Sequence, residues 1–401
     1  MNKLQVLGMC SVAALTLGAA PTVGEVEVSQ DSSRQVKIVY TLSNENAVVT
    51  FDVRTNGVSI GRAALARAWG DVNKMVSASE GKQDRTIWWQ PRETWPGQVI
   101  KDNSLTVAVT AWAKDAPPDY LVLDLVAGAA PTYYQDADEI PGGVSNVVYK
   151  TEKVVLRRIH AEGRMERQGS PVDESGRDTS GTENPRFVIL TNDYYIGIYP
   201  VTRGQFGKAM DRSDVTGANP LWGQSYNQVR GAAPTIDWPV TGHAVSSDSQ
   251  VQAFRTKTGV LNLDLPTEAQ WEFACRAGTS SARYVNDSQL DTIAWYSKSA
   301  VQEVGLLKAN QFGLYDMLGN VNEWCLDWME TYTYESGKTY IDPLGPRTGD
   351  GQEHIGRAMR GGGFNYSSPS QRAAYRNRNR AESSDGTGYR LSAIIPLEAN
   401  R

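Results

Sequence analysis

Five short blocks rich in glycine, aromatic and charged residues follow one another through the carboxy-terminal half of the chain. Between Tyr195 and Ala393 they read YIGIYPVTRGQF, LPTEAQWEFACRAGT, FGLYDMLGNVNEW, RAMRGGGF and GYRLSA. By themselves they contain helix and turn signals. Thr202 is placed to cap a helix over Arg203–Met210, and Thr267 with Gln270 three residues on has the spacing of a capping box. The blocks therefore predict short capped helices, and their residue types alone assign no chemistry.

A third helix is predicted between the first two blocks. The segment Val245–Thr258 has a helical pattern, with Ser246 or Ser247 as its cap and Gly259 as its end.

Taken in order, the five blocks resemble the successive signatures of the formylglycine-generating enzyme family, also called the sulfatase-modifying-factor family. The resemblance extends over residues 146–396. It implies an α+β domain with little regular secondary structure, the family's variant of the C-type-lectin fold. It also implies an oxidoreductase scaffold, because the enzymes of this family oxidise a cysteine of their protein substrate.

The amino-terminal third instead shows the period-two alternation of β-strands. Apolar and polar residues alternate over 36–42, 49–53, 105–111 and 121–125, and Asn56-Gly57 is a turn signal. We therefore expect an all-β sandwich over residues 24–128, similar to immunoglobulin or fibronectin type III modules.

Three further expectations concern this region. The segment Ala63–Met75 predicts a short helix inside the sandwich. Residues 129–145, with their prolines and glycines, predict a linker to the second domain at 146–396. Trp88, Trp89 and Trp95 favour core packing, with a sugar-stacking patch as the alternative.

Residues 1–20 have the pattern of a secretory signal peptide, with Lys3 before an apolar run that is short for a membrane span. We therefore expect an exported protein. The net charge of −5 disfavours nucleic acid as a partner. After removal of that segment Cys275 and Cys325 remain, either as one disulfide or as two buried thiols. The three histidines, at 160, 243 and 354, have no metal-ligand spacing.

Together with the family resemblance, the third block predicts a structural Ca²⁺ site. Asp316 and Glu323 are two carboxylates seven residues apart around a glycine turn, and Ca²⁺ prefers six to eight oxygen ligands. The resemblance implies the side chains of Asp316 and Glu323 and the carbonyls of Gly319 and Val321 as ligands. Without the resemblance, the spacing alone predicts a solvated acidic turn.

The fourth block lacks the chemistry that the resemblance would imply. The enzymes of the family bind copper through two cysteines placed after the glycine pair, and Cu(I) requires such soft thiolate ligands. The serine and the two cysteines of that pattern fall on Gly363, Tyr366 and Gln371 here, and the tryptophan of the third motif falls on Asn322. We therefore expect neither copper nor formylglycine-generating activity.

A polar and aromatic segment, residues 364–385, remains as the candidate binding surface for a protein or glycan. Tyrosine and serine supply contact area and adaptable hydrogen bonds, and arginine pairs with anionic groups. The predicted ligand-binding residues are Asn322, Phe364, Asn365, Tyr366, Ser368, Ser370, Gln371, Tyr375, Arg376 and Asn377. The arginines, Arg376 and Arg390 above all, favour a structural role.

Three functions stay open from the sequence. The favoured one is an exported, non-catalytic binding protein. The alternatives are a metal-dependent oxidase with altered ligands, which needs a redox metal near Gly363, and a structural cell-surface component.

Overall fold

The computed structural model describes residues 20–65, 67–79, 83–97, 105–231, 245–329, 338–345, 356–384 and 386–396. The chain divides into two compact units, Met1–Val122 with Ala130–Asn146, and Leu123–Ala129 with Val147–Arg401. The predicted linker 129–145 spans the change between these units, with Ala129 in the second and Ala130–Asn146 in the first, and its role as a linker stays a prediction. The predicted signal segment lies, except for Ala20, outside the described residues.

The first unit consists mainly of antiparallel strands. Its elements are β1 (Thr22–Val23), β2 (Glu27–Gln30), β3 (Val36–Ser43), β4 (Ala47–Thr55), β5 (Val58–Ser59), β6 (Ala68–Gly70), β7 (Lys74–Val76), β8 (Asp84–Trp89), α1 (Pro91–Thr94), β9 (Leu105–Trp112), β10 (Tyr120–Asp124) and β11 (Thr132–Tyr134). One sheet joins β1 and β2 to β3, and β3 to β8 and β6. The other joins β9 to β4, and β4 to β5 and β7; β10 and β11 form a further antiparallel pair.

Alternation along the strands decides which side chains form the core of this unit. Strands β3 and β9 each bury every second residue, as strand geometry requires when one face is covered. The inward side chains of both sheets form one hydrophobic cluster. The predicted strands are therefore present, while an immunoglobulin or fibronectin topology stays a prediction.

Two of the three tryptophans singled out from the sequence belong to this core. Trp89 is fully buried, donates its indole N–H to the Ala64 carbonyl, and contacts Phe51 and Trp95. Trp88, the residue before it, is only half-buried, because neighbouring strand residues face opposite sides of the sheet.

The predicted helix at Ala63–Met75 is wrong. The structure has a single 3₁₀ turn, Arg62–Leu65, followed by β6 and β7. Gly70 adopts a φ of +101° and sits so close to β8 that a Cβ there would lie 2.3 Å from the Thr86 carbonyl oxygen. Pairing with β8 and β4 has overridden the helical propensity of the alanines.

The second unit combines short helices with several small sheets. Its elements are α2 (Val148–Thr151), β12 (Lys153–Ile159), β13 (Met165–Gln168), β14 (Arg186–Ile189), β15 (Tyr194–Gly197), α3 (Arg203–Ala209), α4 (Tyr226–Val229), α5 (Gln250–Thr258), β16 (Leu263–Asp264), α6 (Glu268–Arg276), β17 (Ala294–Trp295), β18 (Leu318–Gly319), β19 (Asn322–Trp328), β20 (Thr339–Ile341), β21 (Arg357–Arg360), β22 (Arg376–Asn379), β23 (Thr387–Gly388) and β24 (Ser392–Ile394). Its sheets run β12-β15-β24-β16, β13-β14-β20, β17-β18 and β22-β21-β19-β23.

Capping explains where the helices of this unit begin. Thr202 and Thr267 close the capping boxes of α3 and α6, so both predicted starts are confirmed. Helix α5 begins later than expected, at Gln250, because Ser249 is the residue whose hydroxyl accepts the N-terminal amide; it ends at Gly259 in the left-handed conformation.

Few helices and many short strands make this a mixed α+β chain dominated by sheet. Within the described ranges, no helix has the length and apolar character needed to cross a bilayer.

Candidate functional site

Helix α6 provides the buried charged support of the candidate site. Glu268 and Glu272 are four residues apart and so share one helix face, and both are almost fully buried. Glu268 pairs with Arg376 on β22, and Glu272 pairs with Arg360 on β21 and with Arg276. The site is therefore built on a helix locked to two strands by buried ion pairs.

These pairs hold both carboxylates ionised. Burial by itself pushes the pKa of Glu268 up, but the charge and hydrogen bonds of Arg376 outweigh it and keep the pKa below its ordinary value. The pKa of Glu272 is lowered in the same way, burial being outweighed by Arg360 and Arg276.

The predicted calcium loop is a tight turn at the start of β19. Asp316, Gly319 and Asn320 all have positive φ, at +52°, +80° and +61°. A Cβ on residue 319 would lie 2.4 Å from the Trp295 carbonyl oxygen, so only glycine fits there.

Glu323 at the end of this loop is fully buried and already engaged. Its two carboxylate oxygens accept hydrogen bonds from Nε and one terminal nitrogen of Arg390, both at 2.6 Å, and one of them also accepts from the Trp271 indole at 2.6 Å. Arg390 donates further to the carbonyl of Gly197 at 2.8 Å and of Tyr315 at 3.1 Å. The structural role predicted for Arg390 matches these contacts.

Asp316, by contrast, is a buried carboxylate with uncharged hydrogen-bond donors. It accepts from the Gly305 amide at 2.7 Å and more weakly from the Asn320 side chain at 3.4 Å. Burial raises its pKa to about 6, and the nearby charge of Glu323 contributes in the same direction. The loop thus places two buried carboxylates beside a single guanidinium.

That excess of negative charge, together with an all-oxygen donor set, suits a hard cation such as Ca²⁺. The Asp316 and Glu323 side chains with the Gly319 and Val321 carbonyls are the groups that would hold it, and Glu323 would be shared with Arg390. Within the part of the chain that the structure describes, no set of three or more His, Cys, Asp or Glu side chains is arranged around a metal position.

The positions of the family's thiolate pair are held by side chains that pack into the fold. Gln371 is fully buried, and its amide nitrogen lies 3.5 Å from the carbonyl oxygens of Gly363 and Ser367. Tyr366 is half-buried, meets Tyr375 edge to face, and accepts a hydrogen bond from Asn377 at 3.1 Å. Neither residue offers the soft ligand that copper requires.

The only two cysteines within the described ranges are free, buried thiols at other places in the fold. Burial raises the pKa of Cys275 to about 12 and that of Cys325 well above its ordinary value. They are therefore neutral and inert at physiological pH, and of the two alternatives left by the sequence the structure has the buried thiols.

The predicted ligand-binding residues separate into surface and interior groups. Those with solvent exposure are Asn365, Tyr366, Ser368, Ser370, Tyr375 and Asn377, and those that are buried are Asn322, Phe364, Gln371 and Arg376. Arg376 is buried because its guanidinium pairs with the Glu268 carboxylate, and its place in the ligand-binding set stays a prediction.

Asn322 and Gln371 are buried beside the glycine turn and have incomplete hydrogen bonding. A Cβ on Gly363 would lie 3.5 Å from the Asn322 amide nitrogen, and one on Gly362 would lie 2.8 Å from the Gln371 amide oxygen. Within the described residues, the side-chain oxygens of Asn322 and Gln371 have no hydrogen-bond partner.

Trp222 lies beside the segment 364–385, and the sequence motifs did not predict this. Its ring is 45% exposed and meets Phe364 edge to face at 5.9 Å between centroids. It lies more than 140 residues away along the chain and in none of the five blocks, so only the folded structure places it beside the segment.

The second unit is a mixed α+β domain. It has short capped helices, and buried arginine–carboxylate pairs support its candidate site. Residues 159–393 match the family model described as the sulfatase-modifying factor enzyme 1-like domain. Because the match covers more than half of the chain, the protein belongs to this family.

The chain is similar both to relatives named as serine/threonine-protein kinases and to relatives named as formylglycine-generating enzymes. The chain is 37% identical over 241 residues to the serine/threonine-protein kinase Pkn1 of Chlamydia trachomatis, covering 57% of this chain and 38% of that one. It is 35% identical over 153 residues to the formylglycine-generating enzyme of Thermomonospora curvata, covering 32% and 48%. The chain thus spans about two-fifths of the length of the chlamydial relatives it matches.

Among solved structures, PvdO from Pseudomonas aeruginosa is similar over 60% of this chain and 94% of that chain. The sequence identity is 19% and the TM-score is 0.46.

Proposed function

We propose that this protein is a non-catalytic member of its family that binds a protein or glycan through residues 364–385. The observation that carries the proposal is the identity of the residues at the positions of the family's two copper-binding cysteines. Tyr366 and Gln371 stand there, Gln371 is fully buried, and both described cysteines are buried elsewhere with raised pKa values.

The exposed chemistry of the segment supports binding. Asn365, Ser368 and Ser370 present polar groups to solvent, and the rings of Tyr366 and Tyr375 are half-exposed beside them. Tyrosine gives large contact area at low entropy cost, and neighbouring amides and hydroxyls adapt to hydrogen-bonding ligands. The Trp222–Phe364 pair extends the aromatic area of the same surface.

A binding screen with paired variants tests this proposal. Wild-type protein is screened against glycan and surface-protein arrays, and any ligand found is titrated against Tyr366→Ala and Tyr375→Ala. We expect each variant to weaken binding by about tenfold, the effect of losing one aromatic anchor.

The control for that screen is Phe187→Ala, which removes an aromatic ring of similar exposure, 47%, from strand β14. It should bind as the wild type does. Unchanged affinity in both tyrosine variants would refute the assignment of the surface.

We further propose that the loop 316–323 binds a structural Ca²⁺ and that the protein is exported through residues 1–20. The buried, uncompensated carboxylate of Asp316 supports the first proposal. The charge and apolar pattern of the amino-terminal sequence supports the second.

A further inference from the structure

The outer face of one sheet in the first unit carries a row of side chains that the proposed function does not use. Trp69 on β6 pairs directly with Trp88 on β8, Trp88 pairs with Lys37 on β3, and Lys37 pairs with Ser29 on β2. Their strand neighbours, Val28, Ile38, Ile87 and Trp89, are buried in the core. Because strand residues alternate between faces, the row of four points away from that core.

The two tryptophans are available at this face. Trp69 is 47% exposed and Trp88 is half-buried. Directly paired residues on neighbouring strands lie about 5 Å apart, so the two indoles provide one continuous aromatic area. Trp69 was hidden in the sequence because it falls in the segment predicted as a helix, whereas β6 places it on the sheet.

Lys37 adds a positive charge without a direct ion pair to this aromatic area. Its ammonium lies 5.6 Å from the centroid of the Trp88 ring. No carboxylate among the described residues lies within ion-pair distance of it, although Glu27 and Asp84 belong to the same face. The hydroxyl-bearing residues Ser29 and Thr86 flank it on the neighbouring strands.

We propose that Trp69, Trp88 and Lys37 form a binding platform for an acidic polysaccharide. A pyranose ring has an apolar C–H face that stacks on an indole and a rim of hydroxyl groups that bonds to polar neighbours. The carboxylate of a uronic acid is complementary to the unpaired ammonium of Lys37. The charge selects acidic over neutral saccharides, and the site is independent of the ligand surface in the second unit.

Affinity electrophoresis of the full chain tests the proposal, with polygalacturonate or a neutral β-glucan cast in the gel. We expect polygalacturonate to retard the wild type strongly. Trp69→Ala and Trp88→Ala should weaken this retardation at least tenfold in apparent affinity. Lys37→Gln should lose the preference for polygalacturonate over the neutral glucan.

Phe187→Ala is the matched control, because it removes an aromatic ring of the same exposed fraction as Trp69, 47%, from strand β14 of the second unit, outside the proposed ligand surface. It should be retarded like the wild type, and its loss of retardation would place the binding elsewhere. Because Trp69 is exposed, its alanine variant is expected to fold, which circular dichroism checks. The proposal would be overturned if polygalacturonate did not retard the wild type, or if it retarded Trp69→Ala as strongly as the wild type. It would also be overturned if this face bound a protein and no polysaccharide.

Discussion

Several arginines in this chain form buried ion pairs that stabilise the fold. Arg360, Arg372, Arg376 and Arg390 are each buried and each contacts a buried glutamate. Removing a charge from water costs free energy that only a well-placed counter-charge offsets. The arginines of residues 357–380 that are buried therefore serve interior ion pairing.

The pair of Arg390 and Glu323 gives a prediction at this scale. Arg390→Ala leaves the Glu323 carboxylate buried without its cation, and we expect a loss of about 3–5 kcal/mol in the free energy of unfolding. Urea denaturation measures it. Arg212→Ala, which removes an exposed arginine paired with Asp214, should cost less than about 1 kcal/mol. Equal, small losses in both variants would contradict the structural role of Arg390.

The loop 316–323 is the first element with a testable behaviour. The pKa of Asp316 is raised from 3.8 to about 6, so protonation favours the folded state. This stabilisation is complete below pH 4 and is lost as the pH rises through 6. A bound Ca²⁺ would offset that loss only where Asp316 is ionised.

We therefore expect added Ca²⁺ to raise the melting temperature by several degrees at pH 7.5 and much less at pH 5. Asp316→Asn should abolish the response, whereas Asp214→Asn, at an exposed site, should retain it. A melting temperature that changes with neither Ca²⁺ nor chelator at pH 7.5 would contradict the calcium proposal.

Helix α6 is the second such element, because it carries the glutamates beneath the site. Thr267→Ala removes the hydroxyl that accepts the Gln270 amide, and we expect a cost of about 1–2 kcal/mol. Thermal or urea unfolding measures it. Thr256→Ala, an exposed position within α5 whose hydroxyl bonds only inside that helix, should be nearly neutral. A neutral Thr267→Ala would show that packing alone holds the helix start.

Local signals explain which elements the sequence could predict. The starts of α3 and α6 follow from threonine caps and glutamines three residues on, all within one turn. The wrong prediction of a helix at 63–75 has the opposite origin. The strands found there, β6 and β7, pair with β8 and β4, which are not their neighbours in sequence, and no local pattern reports such pairing.

At the scale of the whole molecule, the sequence likewise predicted the local features of the candidate site and missed its long-range contacts. The motifs singled out the loop 316–323 and residues 364–385, because each of these segments is contiguous in sequence. The sequence did not reveal the support from Glu268 and Glu272 or the approach of Trp222 to Phe364. Those contacts join residues about 90 to 140 positions apart, so only the fold brings them together.

The family scaffold and the missing thiolates lead to one account, a binding protein built on an oxidase framework. Its direct test is incubation of the pure protein with copper, oxygen and a Cys-X-Pro-X-Arg peptide, followed by mass spectrometry of the peptide. The formylglycine-generating enzyme of Thermomonospora curvata serves as the positive control. The account predicts that the peptide cysteine stays unchanged, as it does with copper alone, and its conversion to an aldehyde by this protein would contradict the account.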